Sequence, residues 1–274
     1  HIFASYPASI NKYSNNLKIG GYKIFLDGSP QGRTAWMLEP YKKGDENGEY
    51  FGYGTMKDQQ VIEAIEISAK NNMQILAHCN GDRACQQFIH CVTKSEENLP
   101  IIKTLRPVAI HSQLMNETQL ESCKDFGIIP SFFVAHVYYW GDTHIKNFGI
   151  KRAEKISMTR TALEKNIPFT LHQDAPVIEP NMLQTVWIAA TRTTKNGEIL
   201  GSDEKISVKD GLKAITINAA YQYFEEKEKG SIKVGKKANF VILSENPLTA
   251  DINNLPNIKV LMTIKDGETI FKLN

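Results

Sequence analysis

Three side chains able to bind a metal or move a proton close three separate apolar runs of this sequence. His78 ends QILAH, His111 ends PVAIH and Asp174 ends PFTLHQD. Lys23 stands inside YKIFLD, and the two-residue period of a strand puts it on one face with Phe25 and Asp27. Imidazole and carboxylate together suit Zn²⁺, Mn²⁺ or Fe²⁺, and two His with one carboxylate leave room for water. Each residue alone has a plainer reading. A single His at a strand end is commonly a hydrogen-bonded packing residue, Asp174 can cap the turn before Pro176, and Lys23 can be an edge lysine. The order is what favours chemistry, because parallel α/β proteins gather their sites at successive strand ends.

Elements that would position these residues alternate along the chain. Strands are expected over 22–27, 73–82, 106–113, 128–136 and 168–174, with the aromatic run VYYWGD (137–142) continuing the fourth. Helices are expected from a capping box at Thr55–Asp58, over 83–97, from Asn116 to Gly127, over 153–166, 182–194 and 208–224, the last capped by Ser207 and Asp210. This alternation predicts an α/β fold with a parallel sheet and right-handed crossovers. Five βα units fall short of the eight that close a (β/α) barrel, so the sheet is either open or part of a barrel of TIM type. Residues 28–55 form a long Gly- and aromatic-rich loop, the kind that covers or binds substrate. From Gly230 the texture becomes β-rich, with turn signals at Gly235-Lys236 and Asp266-Gly267, which divides the chain into 1–229 and a small β-module, 230–274.

Composition excludes several classes. A chain of 274 residues with 42% hydrophobic and 23% charged residues and a formal charge of +2 reads as globular, with no signal for nucleic acid or an anionic membrane as partner. Its longest apolar stretch, Ile128 to Trp140, is interrupted and too short to span a bilayer. Cys79, Cys85, Cys91 and Cys123 lack CxxC pairing and read as reduced thiols, which points to the cytoplasm. A cysteine hydrolase pairing Cys79 with His78 is disfavoured because neighbouring strand residues face opposite ways.

The motifs YKIFLDGSPQGRTA, ILAHCNGDRA, AIHSQ, HVYYWGD, HQDAPV and KGSIKVGKKANFVIL resemble, in the same order, the C-terminal half of the amidohydrolase superfamily. Within it they are similar to the amidohydrolase-3 group, which includes proteins like N-substituted formamide deformylase. The resemblance implies that the five strands are the fourth through eighth of the barrel and that 230–274 belongs to a β-sandwich. It implies that Lys23 is the position often carboxylated to bridge two metals, that His78 and His111 bind one metal, and that Asp174 binds metal and moves protons. It places His136, Tyr138, Trp140 and Arg33 near the substrate. His172 shares a face with Asp174 but lies deeper, and reads as a supporting or packing residue.

The implied activity is hydrolysis of a non-peptide C–N bond in a small amide, formamide or cyclic amide, by hydroxide activated on one or two divalent ions, with zinc first among them. Three departures stand out: Asn239 replaces a usual Asp, Gln173 replaces a common Ser, and the family's His-x-His pair is absent from a chain that opens on His1. The alternative expectation is therefore a catalytically silent fragment with a structural role, one that associates with itself or with an N-terminal segment.

Overall fold

The computed structural model describes residue 5, residues 9–46 and residues 48–274. β1 (Gly21–Phe25), β2 (Gln74–Cys79), β3 (Val108–His111), β4 (Ile129–Phe132) and β5 (Thr170–Leu171) form a parallel sheet in chain order. Helices cover one face of it. α1 (Asp58–Lys70) buries Val61, Ala64, Ile65 and Ala69 at helical spacing, and α2 (Asp82–Asn98) buries Cys85, Phe88 and Val92. The first cap differs from expectation. Gln60 Oε1 accepts from the Lys57 amide at 2.9 Å, whereas Thr55 donates its hydroxyl to the Phe25 carbonyl at 2.5 Å. α3 (Glu117–Asp125) starts as expected, with Asn116 Oδ1 accepting from the Gln119 amide at 3.0 Å.

The aromatic run after β4 is helical and not extended. β4 ends at Phe132, and α4 (Ala135–Phe148) carries His136, Trp140 and His144 four residues apart on one face. Aromatic residues suit either state, so tertiary packing decides. Gly141 lets α4 approach the 192–200 segment, where an added Cβ would lie 2.8 Å from Thr194 Cγ2.

Two helices expected whole are broken. A short turn, Ile150–Ala153, precedes α5 (Thr159–Glu164), whose first amides at Arg160 and Thr161 donate to the buried Glu204 carboxylate, each at 3.0 Å. After α6 (Met182–Thr191), the 208–224 segment splits at Thr216 into α7 (Val208–Ile215) and α8 (Ile217–Gln222). Ser207 caps α7 as expected.

β6 (Phe240–Leu243), β7 (Val260–Lys265) and β8 (Glu268–Lys272) form a separate antiparallel sheet. Asp266 and Gly267, both at positive φ, make the β7–β8 turn that their sequence signalled. Leu255 and Ile258 bury against Leu183 and Val186 of α6 and hold this module to the larger unit. The four cysteines are buried free thiols. Among the described residues, no helix is long and apolar enough to cross a membrane.

Candidate metal centre

The parallel register sets His78 opposite Phe25 and His111 opposite Cys79. Strict alternation would turn His111 toward the helices with Cys79. Instead His111 adopts a left-handed backbone (φ 72°), and its ring meets His78 on the face turned away from α1 and α2, with Nε2 3.1 Å from His78 Nδ1. Asp174 is left-handed as well, at φ 53°. Two strained non-glycine residues, one at the end of β3 and one just after β5, are the kind of backbone that functional sites retain.

His172 completes the cluster. Its Nε2 lies 3.2 Å from His111 Nδ1, and ligand atoms of His111, His172 and Asp174 all fall within 4.8 Å of one another. His172 Nδ1 is 3.0 Å from Ser131 Oγ. The Thr170 hydroxyl is 2.8 Å from that same oxygen and 2.7 Å from Gln222 Oε1. On the other side His78 Nε2 faces the Gly28 carbonyl at 3.0 Å.

Burial keeps the imidazoles neutral. It pushes His78 and His111 below the usual histidine range and His172 down to about 3, and the Lys23 ammonium adds repulsion at all three. Neutral imidazole is the metal-binding form. Two nitrogens 3.1 Å apart can both reach one ion at the usual Zn–N distance of about 2.0–2.1 Å, so this donor set fits a divalent cation.

The other expected residues fall in three places. His136, fully buried, lies beside the centre, its ring 6.0 Å from His111, and Trp140 packs against it at 5.7 Å. Tyr138 turns to a different side of α4 and packs on Trp187 at 5.5 Å. Arg33 is spent within its own loop: its guanidinium donates to the Lys43 and Gly44 carbonyls and lies over Tyr41 and Tyr50.

Asp27, noted in the sequence only for its strand face, organises the rim. Its carboxylate accepts from the amides of Trp36, Asn80 and Gly81 at 3.0, 2.9 and 2.7 Å, tying the 28–55 loop to the end of β2. Burial nevertheless pushes its carboxyl up to about 7. Ser131, Thr170 and Gln222 carried no signal that a single sequence could offer, since buried Ser, Thr and Gln are ordinary in cores.

An amidohydrolase family model matches residues 4–271. The chain belongs to the amidohydrolase family. It is 28% identical to N-substituted formamide deformylase of Arthrobacter pascens over 256 residues, covering 92% of this chain and 45% of that protein. It is also 28% identical to the LONG AFTER FAR-RED 3 protein of Arabidopsis thaliana over 260 residues, covering 93% of this chain and 43% of that one. An uncharacterized metal-dependent hydrolase from Pyrococcus horikoshii shares the fold, with a TM-score of 0.78 at 22% identity over 92% of this chain and 50% of that one. The chain thus spans about half the length of the relatives it matches.

Proposed function

We propose that this chain carries the metal-binding strands of a hydrolase that cleaves a non-peptide C–N bond in a small amide, formamide or cyclic amide. The observation that carries the reading is the pair of neutral imidazoles, His78 and His111, presenting ring nitrogens to each other at 3.1 Å, with Asp174 within 4.8 Å of a ring nitrogen of His111. In this reading the five parallel strands are the fourth through eighth of a (β/α) barrel, and residues 230–274 belong to its β-sandwich.

His78, His111 and Asp174 would hold the ion, for which zinc suits the donors, and a carboxylated Lys23 would bridge to a second. A bound ion lowers the pKa of its water to roughly 7 and polarises a carbonyl oxygen. Asp174 accepts the proton of the attacking water and returns it to the leaving nitrogen, a role worth roughly 10²–10⁴-fold in rate. His136 and Trp140 form the wall against which the substrate lies, and Arg33 acts by shaping the loop over it.

The test measures metal content and hydrolysis of N-substituted formamides, cyclic amides and dipeptides by wild type and Asp174→Asn. Stoichiometric Zn²⁺ and amide hydrolysis that collapses in the variant would support the reading. Failure to retain any divalent ion, or preference for dipeptides, would refute it.

A further inference from the structure

Six successive contacts join seven groups in one line across the face of the parallel sheet turned away from α1 and α2. It runs from the Gly28 carbonyl through His78, His111, His172, Ser131 and Thr170 to Gln222, with separations of 3.0, 3.1, 3.2, 3.0, 2.8 and 2.7 Å. His111, Ser131, Thr170 and Gln222 are each at most 3% exposed, which shields that part of the line from bulk water, whereas His78 and His172 are half-buried.

Both ends are oxygens that can only accept. At one end two acceptors, the Gly28 carbonyl at 3.0 Å and Asp27 Oδ1 at 3.6 Å, favour a proton on His78 Nε2 over acceptance from the Asn80 amide, whose Nδ2 is 3.0 Å away and also donates to Gly28, and a lone pair is left on His78 Nδ1. At the other, Thr170 has a single hydroxyl proton and gives it to Gln222 Oε1. Thr170 must then accept from the Ser131 hydroxyl, and Ser131 must accept from His172 Nδ1–H. His172 Nε2, now unprotonated, accepts from His111 Nδ1–H, which leaves a lone pair on His111 Nε2.

The two directions collide between His78 Nδ1 and His111 Nε2. Two lone pairs face each other there at 3.1 Å with no proton between them, a repulsive contact that a cation relieves. Had residue 222 offered its amide NH₂ instead, every group from Thr170 to His111 would reverse. His111 would then donate from Nε2 to His78 Nδ1, and a good hydrogen bond would occupy the place of the metal.

We propose that Gln222, acting through Thr170, Ser131 and His172, is a positioning residue that sets the tautomer of His111 and so presents its Nε2 to the metal together with His78 Nδ1. The inference rests on the reading that these histidines hold a metal. It makes His172 the acceptor of the His111 proton and not a metal ligand, although its Nε2 is close enough to be one. The backbone of Gln222 is itself anchored, since its carbonyl accepts from Gln74 Nε2 at 2.9 Å.

The experiment reads ring tautomers by long-range ¹H–¹⁵N spectra of the metal-free protein labelled in histidine, and Zn²⁺ affinity by chelator competition. Wild type should show His111 and His172 protonated on Nδ1 and His78 on Nε2. Thr170→Val keeps the side-chain shape but cuts the line. Ser131 is then free to donate to His172 Nδ1, both rings should move toward the Nε2–H form, and Zn²⁺ affinity should fall ~10–100-fold. Thr170→Ser should restore both. If Thr170→Val does not fold, Gln222→Leu provides the same cut.

A wild-type His111 protonated on Nε2, or a cut line that leaves tautomers and affinity unchanged, would overturn the proposal. Absence of Zn²⁺ binding would overturn it together with the metal reading. The expected tautomers and affinities without amide hydrolysis would support the relay and refute only the proposed reaction.

Discussion

The carboxylate of Asp27 accepts from the Gly81 amide at 2.7 Å, which ties the end of β1 to the turn that follows β2. The same carboxylate serves Trp36 and Asn80, so Asp27→Ala leaves three backbone donors without their partner. Urea unfolding of that variant should show a loss of about 3 kcal/mol. Proteolysis within 28–55 should accelerate, because the Trp36 amide is one of the points that pin that loop.

Asp174→Asn removes the proton carrier and keeps the volume. In the proposed reaction kcat should fall ~10²–10⁴-fold with KM changed far less, measured by steady-state hydrolysis. A variant with unchanged kcat would assign the proton transfers to another group.

Arg192 is a fully buried cation whose guanidinium donates to the carbonyls of Leu200, Ser157 and Ile156 at 2.8, 3.0 and 2.7 Å. Arg192→Met fills much of the space but orphans three acceptors. It should cost about 3–5 kcal/mol in urea unfolding, without a matching change in Zn²⁺ affinity of the folded protein.

Burial pushes His144 down to about 3 from the ordinary 6.5. The unfolded chain therefore takes up a proton before the folded one does. The contribution of this ring is fully present above about pH 6.5 and is lost progressively as pH falls toward 3. His144→Gln should be less stable at pH 7 but lose less of its stability between pH 7 and pH 4, as read from urea midpoints at both values.

How much of this was legible before folding depended on the kind of signal. β2 and β3 are legible because apolar runs with strand period end in turn residues, and the histidines near their ends follow directly. The cap of α3 was found because Asn116 and Gln119 interact over three residues. The segment after β4 reads as extended but is helical: Val137, Tyr138, Tyr139 and Trp140 suit a strand or a helix equally, and the choice rests on packing against Thr194 and Leu200. The position of His111 at a strand end is legible in the sequence but its direction is not, since a left-handed backbone at a histidine breaks the alternation on which strand reasoning depends.

The sequence by itself determined which side chains are available for chemistry and in what order the strands deliver them, because both are local: residue type, period and turn. Tertiary structure decided which nitrogens and hydroxyls face one another, and the proposed tautomers depend on that. Ser131, Thr170 and Gln222 reach His172 from β4, β5 and α8, and a hydrogen-bond direction is a property of the whole line and of no residue in it. That is why three ordinary core residues could not be singled out before the fold brought them together.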